Sequence, residues 1–390
     1  MIYFDNGATT FPKPPAVISA MNQTMRLYGA NPGRSGHKMS FRASELIYDC
    51  RVNAAKFFGA EKPENVIFTS NCTAALNTVI KGTLKSGDHA VISALEHNAV
   101  VRPLEFLKKS GISYSVADFS YDGDELINNF REALQPNTRL VISTQASNVF
   151  GVRLPVERLG AMCRLYEIPF CVDAAQTAGA VPVSLAESPI DFLCTAGHKG
   201  LYGPMGTGLL IINTDKTPES LIQGGTGSLS LSREQPGILP DKYESGTPNL
   251  PGIAGLNEGI RFVQAKNPKM IMKSEIRLAQ RLYDSLKKIN GVELYAPRPE
   301  ENGSVAVVSF NIVGKDSEDV AMLLSERYNI AVRAGLHCAP LAHQSFGTIE
   351  SGTVRAVISV YNKPAQTDYL ADSVRRIAAN QKNEKIVKKE

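Results

Sequence analysis

The sequence predicts an α/β protein with a large, mainly parallel β-sheet domain and a smaller α/β domain. Three observations predict it. Short apolar runs alternate with helix-period segments from about residue 60 to 265, the pattern of βαβ units. Runs such as RLVIST (139–144) and PFCV (169–172) do not alternate apolar with polar residues, as expected of strands covered on both faces. Beyond about residue 265 a long Lys/Arg-rich amphipathic segment opens a second, shorter alternation. A chain of 390 residues, 43% hydrophobic and 21% charged, has the composition to bury a substantial core, which excludes disorder and collagen-like organisation.

The elements follow in order. Asn65–Ser70 (NVIFTS) reads as a strand and Thr73–Lys85 as the helix after it. His89–Ser93 is a strand and Ala99–Lys109 a helix. Arg139–Thr144 and Pro169–Val172 are strands flanking a helix at Pro155–Tyr166, and Asp191–Thr195 and Gly208–Ile212 complete the first sheet. An amphipathic helix at Lys273–Ile289, stopped by Gly291, begins the second alternation. Strands at Val305–Ile312 and Arg355–Val360 there alternate with helices at Ser317–Tyr328 and Gln366–Asn380. The tail QKNEKIVKKE reads as solvated. These boundaries assign residues 15–265 to the large domain, and 1–14 with 266–390 to the small one.

Charge and composition remove several function classes. Lys and Arg number 42 against 38 Asp and Glu, a net +4 with both signs interspersed, and Trp is absent, so nucleic acid is not an expected partner. No apolar run approaches the roughly 20 residues that span a bilayer, and MIYFDNGATTFPKP lacks the features of a secretory signal. Six cysteines are too few for a disulfide scaffold. Without CxxC, HxH or HxxxH spacing, no metal site is expected. The expectation is a cytoplasmic enzyme with reduced thiols.

The chemistry concentrates in DFLCTAGHKGLYGPMGTG (191–208), where a strand runs into a loop holding His198 and Lys199 among glycines that allow backbone and ligand to approach closely. The loop is not a P-loop, since GxxxxGK[ST] is missing. Upstream, FCVDAAQTAG puts Asp173 at a strand's carboxyl end, facing the crevice where open α/β sheets bind ligands, with Gln176 three residues on. Either residue alone has an ordinary reading, as a surface lysine or as a helix cap. Together, a lysine amine and an aspartate for a pyridinium nitrogen are the minimal protein kit for pyridoxal phosphate. Ser70–Thr73 joins a strand to a helix, so its amides and the Thr73 hydroxyl suit an anion. His97, just after another strand, is placed to stack on a ring or to make a structural hydrogen bond.

YFDNGATTFPKP, EHNAVV, VDAAQ, GHKGLYGPMG, ESGTPN, RAGLHCAP and SGTVRAVISVYN, in this order from residue 3 to 362, closely resemble the cysteine desulfurase/selenocysteine lyase branch of the class V aminotransferase-like enzymes. The resemblance implies the pyridoxal-phosphate-dependent transferase fold (aminotransferase fold type I). It implies Lys199 as the residue carrying the cofactor, Asp173 on the pyridine nitrogen, His97 on the ring face and Gln176 on the phenolic oxygen. Cys72, Thr73 and His198 are implied to hold the phosphate, with Thr247 reaching the phosphate of a partner subunit in a homodimer. Asn148 is implied to line the cofactor and substrate site, and Arg355 to clamp the substrate carboxylate through its planar fork. Ala196 stands where relatives often carry Ser or Thr; either Thr195 substitutes for it or one phosphate contact is missing.

Desulfuration also needs a thiolate. Cys171 and Cys194 lie in apolar strands, Cys50 and Cys163 in helical patterns, and Cys72 in the phosphate loop. Cys338 lies in AVRAGLHCAPLAH, a turn-like segment with Gly335 and Pro340, flanked by Arg333, His337 and His343, and nearby cations raise a thiol's thiolate fraction. The resemblance makes Cys338 the persulfide-forming nucleophile, and its short separation from Arg355 resembles the group II desulfurases. The implied reaction converts L-cysteine, or L-selenocysteine, to L-alanine and passes sulfur to an acceptor protein or thiol. A selenocysteine lyase or other class V reaction, and a silent sulfur-carrier scaffold, are the alternatives. The acceptor, and whether it serves iron–sulfur cluster biogenesis, stays open at this stage.

Overall fold

The computed structural model describes residues 1–33 and 36–387, with side chains through Ala379. The chain forms two compact units: a smaller one of Met1–Pro12, Ala146–Leu154 and Lys269 onward, and a larger one of Lys13–Gln145 and Pro155–Pro268. The division differs from the expected boundaries by two or three residues at the ends. It also assigns Ala146–Leu154 to the smaller unit, where isolated bridges pair Ala146 with Arg153 and Val152 with Ser304.

The smaller unit begins with β1 (Ile2–Tyr3). The larger unit then opens with α1 (Pro15–Leu27) and α2 (Lys38–Phe58), neither of which the periodicity argument identified. There follow β2 (Val66–Thr69), α3 (Cys72–Thr83), β3 (His89–Ser93), α4 (Asn98–Leu107), β4 (Ser113–Ala117), α5 (Gly123–Glu132), β5 (Thr138–Thr144), α6 (Val156–Leu165), β6 (Phe170–Asp173), β7 (Phe192–Ala196), β8 (Gly208–Ile212) and α7 (Leu250–Lys266). The seven strands form one sheet in the order β2-β8-β7-β6-β5-β3-β4. β7, β6, β5, β3 and β4 run parallel, whereas β8 is antiparallel to both β7 and β2. The mainly parallel expectation therefore becomes a mixed sheet with one reversed strand. β3, β6, β7 and β8 are buried at every residue, as parallel strands covered on both faces should be.

This topology brings the ends of β2, β3, β5, β6 and β7 to one edge of the sheet, where β8 starts. Close approach there requires a glycine: a Cβ on Gly208 would sit 2.5 Å from the carbonyl carbon of Asn71, the residue that caps α3.

The smaller unit continues with α8 (Pro268–Leu286), which starts with its proline at the first helical position, earlier than expected, and ends before Ile289. β9 (Val292–Leu294), β10 (Val307–Ile312), α9 (Ser317–Tyr328), β11 (Ile330–Ala331), α10 (Pro340–Ser345), β12 (Val354–Val357) and α11 (Pro364–Val387) follow. β12-β10-β9 is an antiparallel sheet, and β1 pairs parallel with β11. Helix α11 runs past the expected end at Asn380; the side chains of the tail, whose solvation the sequence suggested, lie outside those described.

A buried ion pair anchors the ESGTPN segment within the larger unit. The Arg51 guanidinium donates to both Glu244 carboxylate oxygens, at 2.9 and 2.7 Å, and to the Val66 carbonyl. The Phe68 amide also donates to Glu244 at 2.7 Å. Removing one partner strands the other charge. Glu244→Ala should therefore cost about 3–5 kcal/mol in urea denaturation; a loss below about 1 kcal/mol would show that the pair is not the anchor.

Candidate functional site

The larger unit gathers titratable groups at the carboxyl edge of its sheet. Asp173 ends β6 and is 5% exposed. Its Oδ1 accepts the Ala175 amide at 2.8 Å and the Cys72 thiol at 3.4 Å, while its carbonyl accepts the Gln145 amide at 2.9 Å. Cys72 is buried at the first position of α3; Asn71 caps that helix by accepting the Ala74 amide at 2.9 Å. The amides of Cys72 and Thr73 are thus early-turn donors without intrahelical acceptors. Thr73 itself is exposed and Gln176 half-buried.

After β3 come Glu96 and His97. His97 caps α4, its Nδ1 accepting the Ala99 amide at 3.0 Å, so in the neutral ring the proton sits on Nε2. The structural hydrogen bond is thus present. Glu96 was missed in the sequence. It is fully buried, and its Oε1 accepts the Thr144 amide at 2.6 Å and the Ser93 hydroxyl, linking the ends of β3 and β5. Burial, with the Asp173 charge adding to it, pushes Glu96 up to about 8.

Lys199 and His198 follow β7. Lys13, also missed, donates to the His198 carbonyl at 2.7 Å, and burial lowers it to about 8. Burial and then the Lys199 and Lys13 charges pull His198 down to about 4, so it is a neutral ring near pH 7. Thr195 is fully buried and its hydroxyl donates to the Ala174 carbonyl at 3.3 Å. Thr247 lies on an exposed segment, 3.5 Å from the Asn31 amide nitrogen.

The smaller unit holds the second group. Arg355, on β12, is 1% exposed; it donates to the Asn148 carbonyl at 2.7 Å and to Asp5 at 3.0 Å. Its buried Nε has no partner, nor has the buried Oδ1 of Asn148. A Cβ on Gly7 would lie 3.2 Å from the guanidinium carbon, so FDNGATT supplies both the partner and the close backing of Arg355. Desolvation lowers Arg355 to about 10, with Asp5 opposing.

Asn148 Nδ2 donates to the His337 carbonyl at 2.8 Å, tying the neighbour of Arg355 to the Cys338 turn. That turn has two consecutive positive φ values, 49° at His337 and 58° at Cys338. Cys338 is partly exposed, while the other five cysteines are buried. The cationic flank is narrower than expected. His337 Nε2 donates to the Thr353 carbonyl at 2.9 Å, and burial, then Arg355, pull the ring down to about 2. Burial also lowers His343. Both rings are neutral near pH 7, leaving Arg333, whose guanidinium donates to Cys338 Sγ at 3.8 Å.

No group of three or more His, Cys, Asp or Glu among the described residues is placed to hold a metal ion. No helix among them is long and apolar enough to cross a membrane.

The lowered histidine gives a stability prediction. Because folded His337 titrates near 2, below its ordinary 6.5, the unfolded chain binds the extra proton as pH falls below 6.5. Stability should decline on acidification by at most about 1.4 kcal/mol per pH unit from this residue. His337→Gln should flatten the acid slope in denaturation series; an unchanged slope would sink the assignment. Glu96 acts in the opposite sense, its stabilisation being complete below the ordinary carboxylate range and lost as pH rises through about 8. Glu96→Gln, which keeps the acceptor, should abolish that alkaline loss.

Comparison with known proteins agrees with this architecture. The family model for aminotransferase class-V matches residues 2–370. A "Probable cysteine desulfurase" of Methanothermobacter thermautotrophicus is 32% identical over 97% of this chain and 94% of its own. One of Pyrococcus abyssi is 35% identical over 93% and 90%. The apo structure of a cysteine desulfurase from Thermococcus onnurineus superposes with a TM-score of 0.89 at 33% identity, covering 97% of this chain and 95% of that one. A cysteine desulfurase of Escherichia coli gives 0.84 at 27% identity, covering 96% and 94%. With a family match over nearly its whole length and relatives about one third identical end to end, the chain belongs to the aminotransferase class-V family, on its cysteine desulfurase branch.

Proposed function

We propose that the protein is a pyridoxal-phosphate-dependent cysteine desulfurase that converts L-cysteine to L-alanine, leaves the sulfur as a persulfide on Cys338, and passes it to an acceptor protein or thiol. The observation that carries this reading is Cys338 itself: a partly exposed thiol on a turn of two positive-φ residues, with the Arg333 guanidinium on its sulfur.

The residues of the larger unit fit pyridoxal phosphate. Asp173 holds a nearly buried carboxylate whose Oδ1 is fixed by the Ala175 amide and the Cys72 thiol, a position suited to a pyridinium N–H. The amides of Cys72 and Thr73 at the start of α3, with neutral His198, suit the phosphate. His97 serves the ring face, Gln176 the phenolic oxygen and Lys199 the covalent link. When bound, the cofactor supplies an electron sink for negative charge at the substrate Cα.

The protein's own residues do the rest. Arg355, with its unpartnered Nε and its Nη2 along one edge of the fork, receives the substrate carboxylate, and the Asn148 carbonyl holds Nη1 in place. Lys199 Nζ takes the Cα proton. The Cys338 thiolate attacks the substrate sulfur: an S–S bond forms, the Cβ–S bond breaks with its electron pair left on carbon, and protonation completes alanine. The Arg333 guanidinium lies on the attacking Cys338 sulfur at 3.8 Å. We further propose a homodimer in which Thr247 serves the partner's phosphate.

Two variants test this reading. Lys199→Ala should lose the borohydride-reducible cofactor link. Cys338→Ala should stay yellow, carry no persulfide, and form alanine from L-cysteine on the order of 10³-fold more slowly or worse. Mass spectrometry of wild type after brief exposure to L-cysteine should find one extra sulfur on the Cys338 peptide; finding it only on another cysteine, such as Cys72, refutes the assignment. Undiminished alanine and selenide from L-selenocysteine in Cys338→Ala, with wild type inert toward L-cysteine, would instead establish a selenocysteine lyase. Mixing Lys199→Ala with Thr247→Ala subunits should restore part of the activity through one intact hybrid site, and full activity of a stable monomer would refute shared sites.

A further inference from the structure

Cys72 donates to the Asp173 carboxylate from a side chain. Its sulfur lies 3.4 Å from Oδ1, the oxygen already held by the Ala175 amide at 2.8 Å. Both groups are nearly buried, Cys72 at 7% and Asp173 at 5% exposure. We infer that the Cys72 thiol is a positioning residue that fixes the Asp173 carboxylate with Oδ1 occupied and Oδ2 presented for a cationic N–H donor. The inference rests on the cofactor role proposed above for Asp173.

Three features of the chain support it. A carboxylate has about four lone-pair sites, so two donors on one oxygen leave the other able to accept a strong, charge-assisted bond. Cys72 is rooted in the first turn of α3 and Asp173 at the end of β6, so the bond joins two rigid elements rather than a loop. The thiol also stays protonated: burial pushes it well above the usual range and the Asp173 charge adds to this, with Lys199 opposing. A protonated, buried thiol donates a hydrogen bond but is a poor nucleophile, which distinguishes Cys72 from Cys338. An S–H is a weak donor. It therefore orients the carboxylate while withdrawing less charge from it than a hydroxyl does.

The test uses the cofactor-loaded protein with pyridoxal phosphate labelled at its ring nitrogen. Wild type should show a protonated nitrogen by ¹⁵N NMR. Cys72→Ala, which removes the donor, should release the cofactor about tenfold faster in exchange against free pyridoxal phosphate and weaken the protonated-nitrogen signal. Cys72→Ser, which restores a donor, should return both readouts to within about threefold of wild type. A packing role predicts instead that Ser and Ala suffer alike, and that pattern overturns the inference, as does a Cys72→Ala protein indistinguishable from wild type.

In cofactor-free protein, the Raman S–H band assigned to Cys72 by difference should move in Asp173→Asn; an unmoved band also overturns it. Loss of the protonated nitrogen in Asp173→Asn supports the proposed function whatever Cys72 does, so the two failures are separable. A wild-type chain that takes up no pyridoxal phosphate overturns both.

Discussion

A carboxylate placed almost out of water at the end of a central parallel strand constrains much of the larger unit. Asp173 cannot be desolvated there without donors. The structure supplies them from two directions, the following turn through Ala175 and the start of α3 through Cys72. That α3 starts near enough depends on β2 reaching the same edge, which in turn depends on β8 running antiparallel between β2 and β7. Gly208, the first residue of β8, lets the Asn71 cap pass at a distance that a side chain would forbid. The reversed strand is thus the device that puts a helix N-terminus and a buried acid on one edge.

A second acid lies nearby, and the fold treats it differently. Glu96 has two hydrogen-bond donors on one oxygen, but burial and the Asp173 charge raise it to about 8, so it is protonated at neutral pH. The neutral acid still closes the ends of β3 and β5, which is where His97 begins its helix. In the smaller unit the corresponding problem is a cation: Arg355 is buried with Asp5 as counter-charge, and the neighbouring His337 and His343 rings remain neutral. Only Arg333 is left to act on the Cys338 sulfur.

Much of this was legible in the sequence because apolar runs and chemistry-bearing motifs coincide. Strands β3, β5, β6, β7 and β8 were readable, since buried parallel strands are continuous apolar segments. Strand β4 was missed: it is the sheet's edge, SYSVA, largely half-exposed and polar at alternate positions. Helix α7 was missed because LPGIAGLNEGIRF holds three glycines, at 252, 255 and 259, after a proline-led start, and composition argues against a helix that packing nevertheless forms. Lys199, Asp173, Arg355 and Cys338 announced themselves by motif, whereas Glu96, Lys13 and Asp5 sat inside quoted motifs without a role. Their importance lies in long-range partners: Asp5 and Arg355 are 350 residues apart, Lys13 and His198 185. Local spacing contains no such information.

The six cysteines show how far environment decides what one residue type can do. Cys171 and Cys194 face each other at 3.9 Å inside adjacent strands, and burial drives Cys194 far up, so both are core. Cys50 and Cys163 are likewise desolvated in helices, and burial pushes Cys163 up to about 12. Cys72 is buried too, but a carboxylate beside it converts an inert thiol into a directed donor. Cys338 alone is partly exposed, with a guanidinium on its sulfur and a backbone twisted through two positive φ values. The side chain is the same in all six, and burial and the sign of the nearest charge separate core, donor and proposed nucleophile. A thiol that must accept sulfur and then give it up needs both charge and access, and among these six positions the fold provides the two together at Cys338.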